Sequence, residues 1–123
     1  MSEPAPFGGS IADLPRERLA ELGLSRSAVR TDDALVVFNW LTPPAGVPLH
    51  DHPFDQLSLI LEGACVMRVD GDEHRLSAGG FLYIPAGARH GLETVGTVPV
   101  FNIDVFAPAR EDYLHLAEGQ PRA

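Results

Sequence analysis

Four residues in this chain of 123 have the types and spacing to hold a metal ion: His50, His52, Gln56 and His90. Imidazole nitrogens and an amide oxygen suit borderline metals such as zinc, nickel, iron, manganese or copper. His50, His52 and Gln56 differ by two and four in number, so on one extended strand they would share a face. His90 must arrive from a second strand. The expected cofactor is one divalent transition metal per chain (Zn, Ni, Fe or Mn). Three neutral imidazoles and a neutral amide leave its charge uncompensated. The ion is then a stronger Lewis acid than with glutamate at the fourth position, and it attracts an anionic substrate group or hydroxide. Asp51 and Asp55 alternate with the ligands and are expected to point away from them.

The elements that must carry these side chains are mostly strands. Residues 35–41, 49–62, 64–69, 73–76, 81–84, 90–95 and 98–106 are rich in β-branched, aromatic and aliphatic residues. Between them stand turn signals: Thr42-Pro-Pro-Ala-Gly46, Gly63, Asp70-Gly71, Gly79-Gly80 and Pro85-Ala-Gly87. Short strands at such spacing predict an all-β barrel or sandwich. Ahead of them, Asp13 is placed to cap a short N-terminal helix with Pro15 in its first turn and an end near Gly23. Ser25 to Asp33 reads as a polar lead-in. Residues 1–10 read as a flexible arm, 11–116 as a single domain and 117–123 as a flexible tail. Arg110 to Leu116 is amphipathic and expected to pack on the barrel.

Composition narrows the function. A net charge of −8 offers no basic stripe to replace phosphate counterions, so nucleic acid is not an expected partner. A small anionic substrate remains compatible, because screening acts over ~8–10 Å. No apolar run approaches the ~20 residues of a membrane helix, so no membrane partner is expected. The opening Met-Ser-Glu-Pro-Ala-Pro lacks the basic and apolar regions of a secretory signal. Cys65 is the sole cysteine, which excludes an internal disulfide and fits a reducing, cytoplasmic setting.

The two ligand-bearing segments resemble the two signature motifs of the cupin superfamily. His50-x-His52-x3-Gln56-x6-Gly63 is similar to G-x5-H-x-H-x3–4-E-x6-G, with Gln56 where the family usually has glutamate and Gly46 offset. Gly79-x5-Pro85-x-Gly87-x2-His90 is similar to G-x5-P-x-G-x2-H-x3-N, with Thr94 replacing the asparagine. The resemblance implies a double-stranded β-helix (a jelly-roll-like barrel), a metal inside it, and a homodimer. The segment Asp104-Val-Phe106-Ala-Pro108-Ala-Arg110-Glu-Asp-Tyr113 further resembles small single-domain cupins of pectin degradation, which linearise 4,5-unsaturated uronates. In that group a glutamine joins three histidines at the metal, and the matching residues here, Asp104, Phe106 and Arg110, would line the pocket.

Asp104 and Phe106 share a strand face with Asn102. A carboxylate beside a bare dication is a natural general base or orienter; its bland reading is a buried hydrogen bond. Arg110 has the fork geometry for a substrate carboxylate, against a surface ion pair with Glu111 or Asp112. Phe106 would hold the substrate against the metal. Tyr83, with Phe81, is a candidate pocket wall or core residue. Phe38 and Trp40 fit core or interface, Cys65 an inert core position, and His74 and His115 exposed sites. The catalytic candidates are therefore Asp104 and Arg110, and the substrate-binding candidates Phe106, Tyr83 and Arg110. The leading expectation is a metal-dependent isomerase or lyase acting without redox chemistry on a small carboxylate-bearing substrate, such as an unsaturated uronate. Alternatives are a non-haem iron dioxygenase, a polyketide-type cyclase or isomerase, and a non-catalytic small-molecule-binding barrel.

Overall fold

A computed structural model describes residues 5–120. Ten strands follow in order: β1 (Glu17–Leu19), β2 (Leu24–Arg30), β3 (Leu35–Leu41), β4 (Gly46–His50), β5 (Gln56–Glu62), β6 (Ala64–Val69), β7 (Asp72–Ser77), β8 (Phe81–Ile84), β9 (His90–Val95) and β10 (Val100–Phe106). They form a six-stranded sheet, β1-β2-β3-β10-β5-β8, and a four-stranded sheet, β4-β9-β6-β7. All pairings are antiparallel. The inner faces of the two sheets enclose the core, and the expected jelly-roll barrel is the observed fold. No helix among the described residues is long and apolar enough to cross a membrane.

Two apolar clusters hold the barrel. One joins Leu24, Leu41, Ile60, Cys65, Met67, Ile84, Leu92 and Val100 from both sheets. The other joins Ala28, Leu35, Val37 and Phe106 to Leu116 and Ala117 of a C-terminal 3-10 helix, Glu111–Ala117. Each buried aliphatic or aromatic side chain contributes about 1.5–3 kcal/mol. The segment Arg110–Leu116, expected to pack on the barrel, does so, and Ala117 is buried beside it. Further on, Gln120 donates to the Ala28 carbonyl at 2.7 Å and accepts from the Arg30 backbone N–H at 2.9 Å. Residues 121–123, and residues 1–4 of the arm, lie outside the described residues.

Three expectations need correction. The N-terminal helix does not form. Residues 11–22 hold two 3-10 turns, Ile11–Asp13 and Ala20–Leu22, on either side of β1. Sheet pairing overrides the capping signal: β1 docks on β2 with Glu17 opposite Arg26, and Arg26 Nε donates to Glu17 at 2.8 Å. The polar lead-in is itself strand β2. Its serine and arginine positions hid the pattern, yet Ser27 is fully buried because its hydroxyl donates to the Pro15 carbonyl at 2.8 Å.

The third correction bears on the site. Residues 49–62 are not one strand but β4, a bend over 51–55, and β5. The chain changes sheets in that bend. Pro53 cannot donate to a ladder, and the bend is pinned to the Pro85–Gly87 turn. There Gly87 N–H donates to the His52 carbonyl at 2.8 Å, and Ala86 N–H donates to the Asp55 carboxylate at 2.9 Å. Asp51 and Asp55 are exposed, as expected.

Candidate metal centre

Because of that bend, the four candidate ligands come from both sheets. His50 ends β4 and His90 begins β9 directly opposite it. His52 hangs from the bend and Gln56 opens β5. The three histidines converge all the same: their ligand atoms lie within 4.8 Å of one another. Ring centroids are 4.4 Å apart for His50–His90 and 4.8 Å for His52–His90. β4 and β9 meet closely here. A side chain on Gly91 would bring its Cβ to 2.8 Å from the Val47 carbonyl oxygen, so only glycine fits the position next to His90.

Each ring is oriented by a backbone carbonyl at its Nδ1: Pro48 for His50 (2.8 Å), Phe54 for His52 (2.9 Å) and Ala88 for His90 (2.8 Å). A carbonyl only accepts, so each Nδ1 carries the proton and each Nε2 is left as a lone pair. Burial, with the Arg110 charge adding to it, lowers the His52 pKa below its usual value. Burial likewise lowers that of His90, which outweighs the backbone bond to Ala88. Both rings are therefore neutral at neutral pH. His90 Nε2 is buried with no hydrogen-bond partner among the described residues. His52 Nε2 faces the Gln56 amide oxygen at 3.1 Å, an acceptor against an acceptor. An orphaned lone pair and two opposed ones cost free energy unless a cation joins them. The residues present thus fit a divalent metal with His50, His52, His90 and Gln56 as donors.

Behind Gln56 lies a polar network on the inner face of the six-stranded sheet. Gln56 Nε2 donates to Ser58 Oγ at 3.0 Å, and Ser58 Oγ donates to Asp104 Oδ1 at 2.6 Å. Asn39 Nδ2 bridges Asn102 Oδ1 (2.9 Å) and Asp104 Oδ2 (3.0 Å), and Asn102 Nδ2 reaches Asp104 Oδ1 at 3.2 Å. Burial raises the Asp104 pKa, against the pull of these hydrogen bonds. Asp104 also lines the cavity of about 140 Å³ that His50, His90 and Gln56 border.

The remaining candidates divide. Phe106 is buried in the cavity wall, edge-on to His52 at 5.9 Å. Arg110 is also buried in that wall, but its fork is engaged: Nε and Nη2 donate to the two oxygens of Asp112 at 2.7 and 2.9 Å. It lies 3.7 Å over the Tyr113 ring. The ion-pair reading of Arg110 is the observed one, although the pair backs a cavity residue. Tyr83 is not a cavity residue. It is 55% exposed on the outer face of β8, because Ile84 takes the inward position opposite Gln56. Phe81 shares that outer face. Cys65 is buried and its thiol is pushed up to about 11 by burial, in keeping with an inert core position. Arg68 pairs with Glu73 and Glu93.

Sequence reading missed Ser58, Asn39, Arg26 and Tyr113. The first two had a signal. Ser58 sits two residues after Gln56 on the same strand face, and Asn39 is the one polar residue of Leu35–Leu41. Arg26 and Tyr113 reach the cavity only through the tertiary docking of β2 and the C-terminal 3-10 helix.

The cupin domain family model matches residues 40–106, and the chain belongs to that family. It is 41% identical over 118 residues to the tetracenomycin polyketide synthase protein TcmJ of Streptomyces glaucescens, covering 90% of this chain and 73% of TcmJ. Among solved structures, KdgF from Halomonas sp. superposes with a TM-score of 0.80 at 24% identity, over 89% of this chain and all (100%) of KdgF. The polyketide cyclase RemF from Streptomyces resistomycificus does so with 0.75 at 19%, over 87% and 82%. At those identities the two structures establish the fold alone.

Proposed function

We propose that this protein is a metal-dependent cupin enzyme that promotes enolisation, and thereby cyclisation or isomerisation, of an oxygenated polyketide-type substrate without redox chemistry. The observation that carries this reading is one cavity lined by His50, His90, Gln56 and Asp104, with the His52 ligand atom within 4.8 Å of those of the other two histidines, in walls otherwise dominated by aliphatic and aromatic side chains. The likeness to TcmJ supports the substrate class. The engaged fork of Arg110 speaks against a dedicated carboxylate clamp.

A metal held by His50, His52, His90 and Gln56 would supply Lewis acidity toward substrate oxygens. The chain's own residues do the rest. Leu22, Leu24, Leu41, Val47, Leu92 and Phe106 hold the apolar part of the substrate and exclude water. Asp104 accepts a proton at Oδ2 from the carbon between two carbonyls and returns it when the new bond is in place. Its raised pKa makes it a stronger base than a free carboxylate. Asn39, Ser58 and Asn102 keep its oxygens in position. Arg26 and Arg110 line the same cavity with their charges paired to Glu17 and Asp112.

The test is hydrogen–deuterium exchange at the acidic carbon of a 1,3-dicarbonyl compound, followed by NMR. Metal-loaded protein should accelerate it; metal-stripped protein and Asp104→Asn should not. Equal rates in all three would end the proposal, and oxygen uptake with bound iron would favour a dioxygenase instead. Ring opening of unsaturated uronates stays as a second reading, favoured by the meeting of Gln56, Asp104 and Phe106 in one cavity. Loss of the substrate's unsaturated chromophore would distinguish it.

A further inference from the structure

The relay behind Gln56 has a direction. Both Asp104 oxygens already accept from the Asn39 and Asn102 amides, and Ser58 donates its single hydroxyl proton to Oδ1 across the short 2.6 Å contact. Ser58 Oγ is then left as an acceptor, and at 3.0 Å it can be served only by the NH2 end of the Gln56 amide. The amide oxygen must therefore face the histidines. Ser58 is fully buried, so no solvent competes for its proton. Asn39 and Asn102 hold the far end of the chain in place.

We propose that Ser58 is a positioning residue which, anchored by Asp104, fixes the Gln56 amide with its oxygen toward the metal site. The relay also accounts for an amide where related motifs carry glutamate. A carboxylate at position 56 would have no proton for Ser58 and would share one hydroxyl proton with the charge of Asp104. Asp104 thus serves twice: it lines the cavity, and its Oδ1 anchors the residue that sets a ligand. Without Ser58, the acceptor that holds the NH2 end of the amide away from the histidines is lost.

The inference rests on His50, His52, His90 and Gln56 forming a metal site, and the experiment separates the two. The first measurement uses metal-stripped protein and needs no ion. In 15N-labelled wild type the Gln56 side-chain NH2 should be slowly exchanging, and in Ser58→Ala it should exchange at least about tenfold faster. The second is zinc affinity by competition with a chelating dye. Ser58→Ala should bind about 10–100-fold more weakly, the range for loss of a ligand's hydrogen-bond support. Ser58→Thr, which keeps the hydroxyl, should restore both. Ser58→Cys keeps the volume but accepts weakly, so it should weaken binding while remaining folded, which guards against a trivial loss of structure. Unchanged amide exchange in Ser58→Ala and Ser58→Cys overturns the relay even if wild type binds zinc. Altered exchange in a wild type without zinc affinity would keep the orientation and sink the metal site, and with it the role assigned to the orientation. Equal zinc affinity of all four proteins would likewise overturn the proposal.

Discussion

Across β5, β8 and β10 the six-stranded sheet partly inverts the usual arrangement. On β5, Gln56 and Ser58 point inward while Leu57 and Leu61 are exposed. On β10, Asn102 and Asp104 point inward beside Phe106, while Ile103 and Val105 face out. On β8 the outward pair is Phe81 and Tyr83, at 68% and 55% exposure. Registers place these outer residues side by side: Leu57 opposite Tyr83 and Val105, Leu59 opposite Phe81 and Ile103. A strand's polarity pattern therefore reports two sides without saying which is inside. Here the inner side carries a polar patch within an otherwise apolar lining, and burying those groups is tolerable only because each has a partner.

If the inner face is the working one, perturbing it should matter far more than perturbing the outer face. The largest effect is expected at the ligands. His90→Ala should lower metal affinity by more than about 100-fold, read by competition titration and by metal content after dialysis. Next comes Phe106→Ala, which empties a fully buried position and should cost about 3–5 kcal/mol in urea unfolding. Asn39→Leu keeps the volume but strands acceptors on Asn102 and Asp104, and about 1–3 kcal/mol should be lost.

A smaller, pH-dependent effect would sharpen the comparison at the cavity rim. Burial works to raise the Asp112 carboxyl, but the Arg110 hydrogen bonds and charge override it and hold it below its ordinary value. A depressed acid stabilises the fold above its unfolded pKa and stops doing so as pH falls through its folded pKa. Asp112→Asn should therefore lower the urea midpoint at pH 7 and converge on wild type as pH falls below the usual carboxylate range. The smallest change is expected outside: Tyr83→Ser should alter monomer stability by less than about 0.5 kcal/mol and leave zinc affinity unchanged. A large loss of zinc affinity there would break the comparison.

Much of this was legible in the amino-acid sequence, but unevenly. The barrel followed from short strands and turn residues, and the histidine cluster from a spacing that was right for a reason other than the one expected. They converge through a bend between sheets, not along one strand, because Pro53 and the Pro85–Gly87 turn fold the chain across. The N-terminal segment misled because a local capping signal lost to pairing with β2, a contact that no local pattern announces. Tyr83 misled through the sheet's inversion, since an aromatic beside a motif strand is normally read inward. Arg110 was located in the correct wall, but Asp112, two residues away, takes its fork.

One further consequence lies in the bare α-carbon of Gly91. Where β4 touches β9, the strands are as near as they are because nothing projects between them. Even a methyl group would prise them apart, and the imidazoles of His50 and His90 ride on those same strands. The gap between the two imidazoles is thus gauged by something missing, and Gly91→Ala would lengthen the reach between His50 and His90.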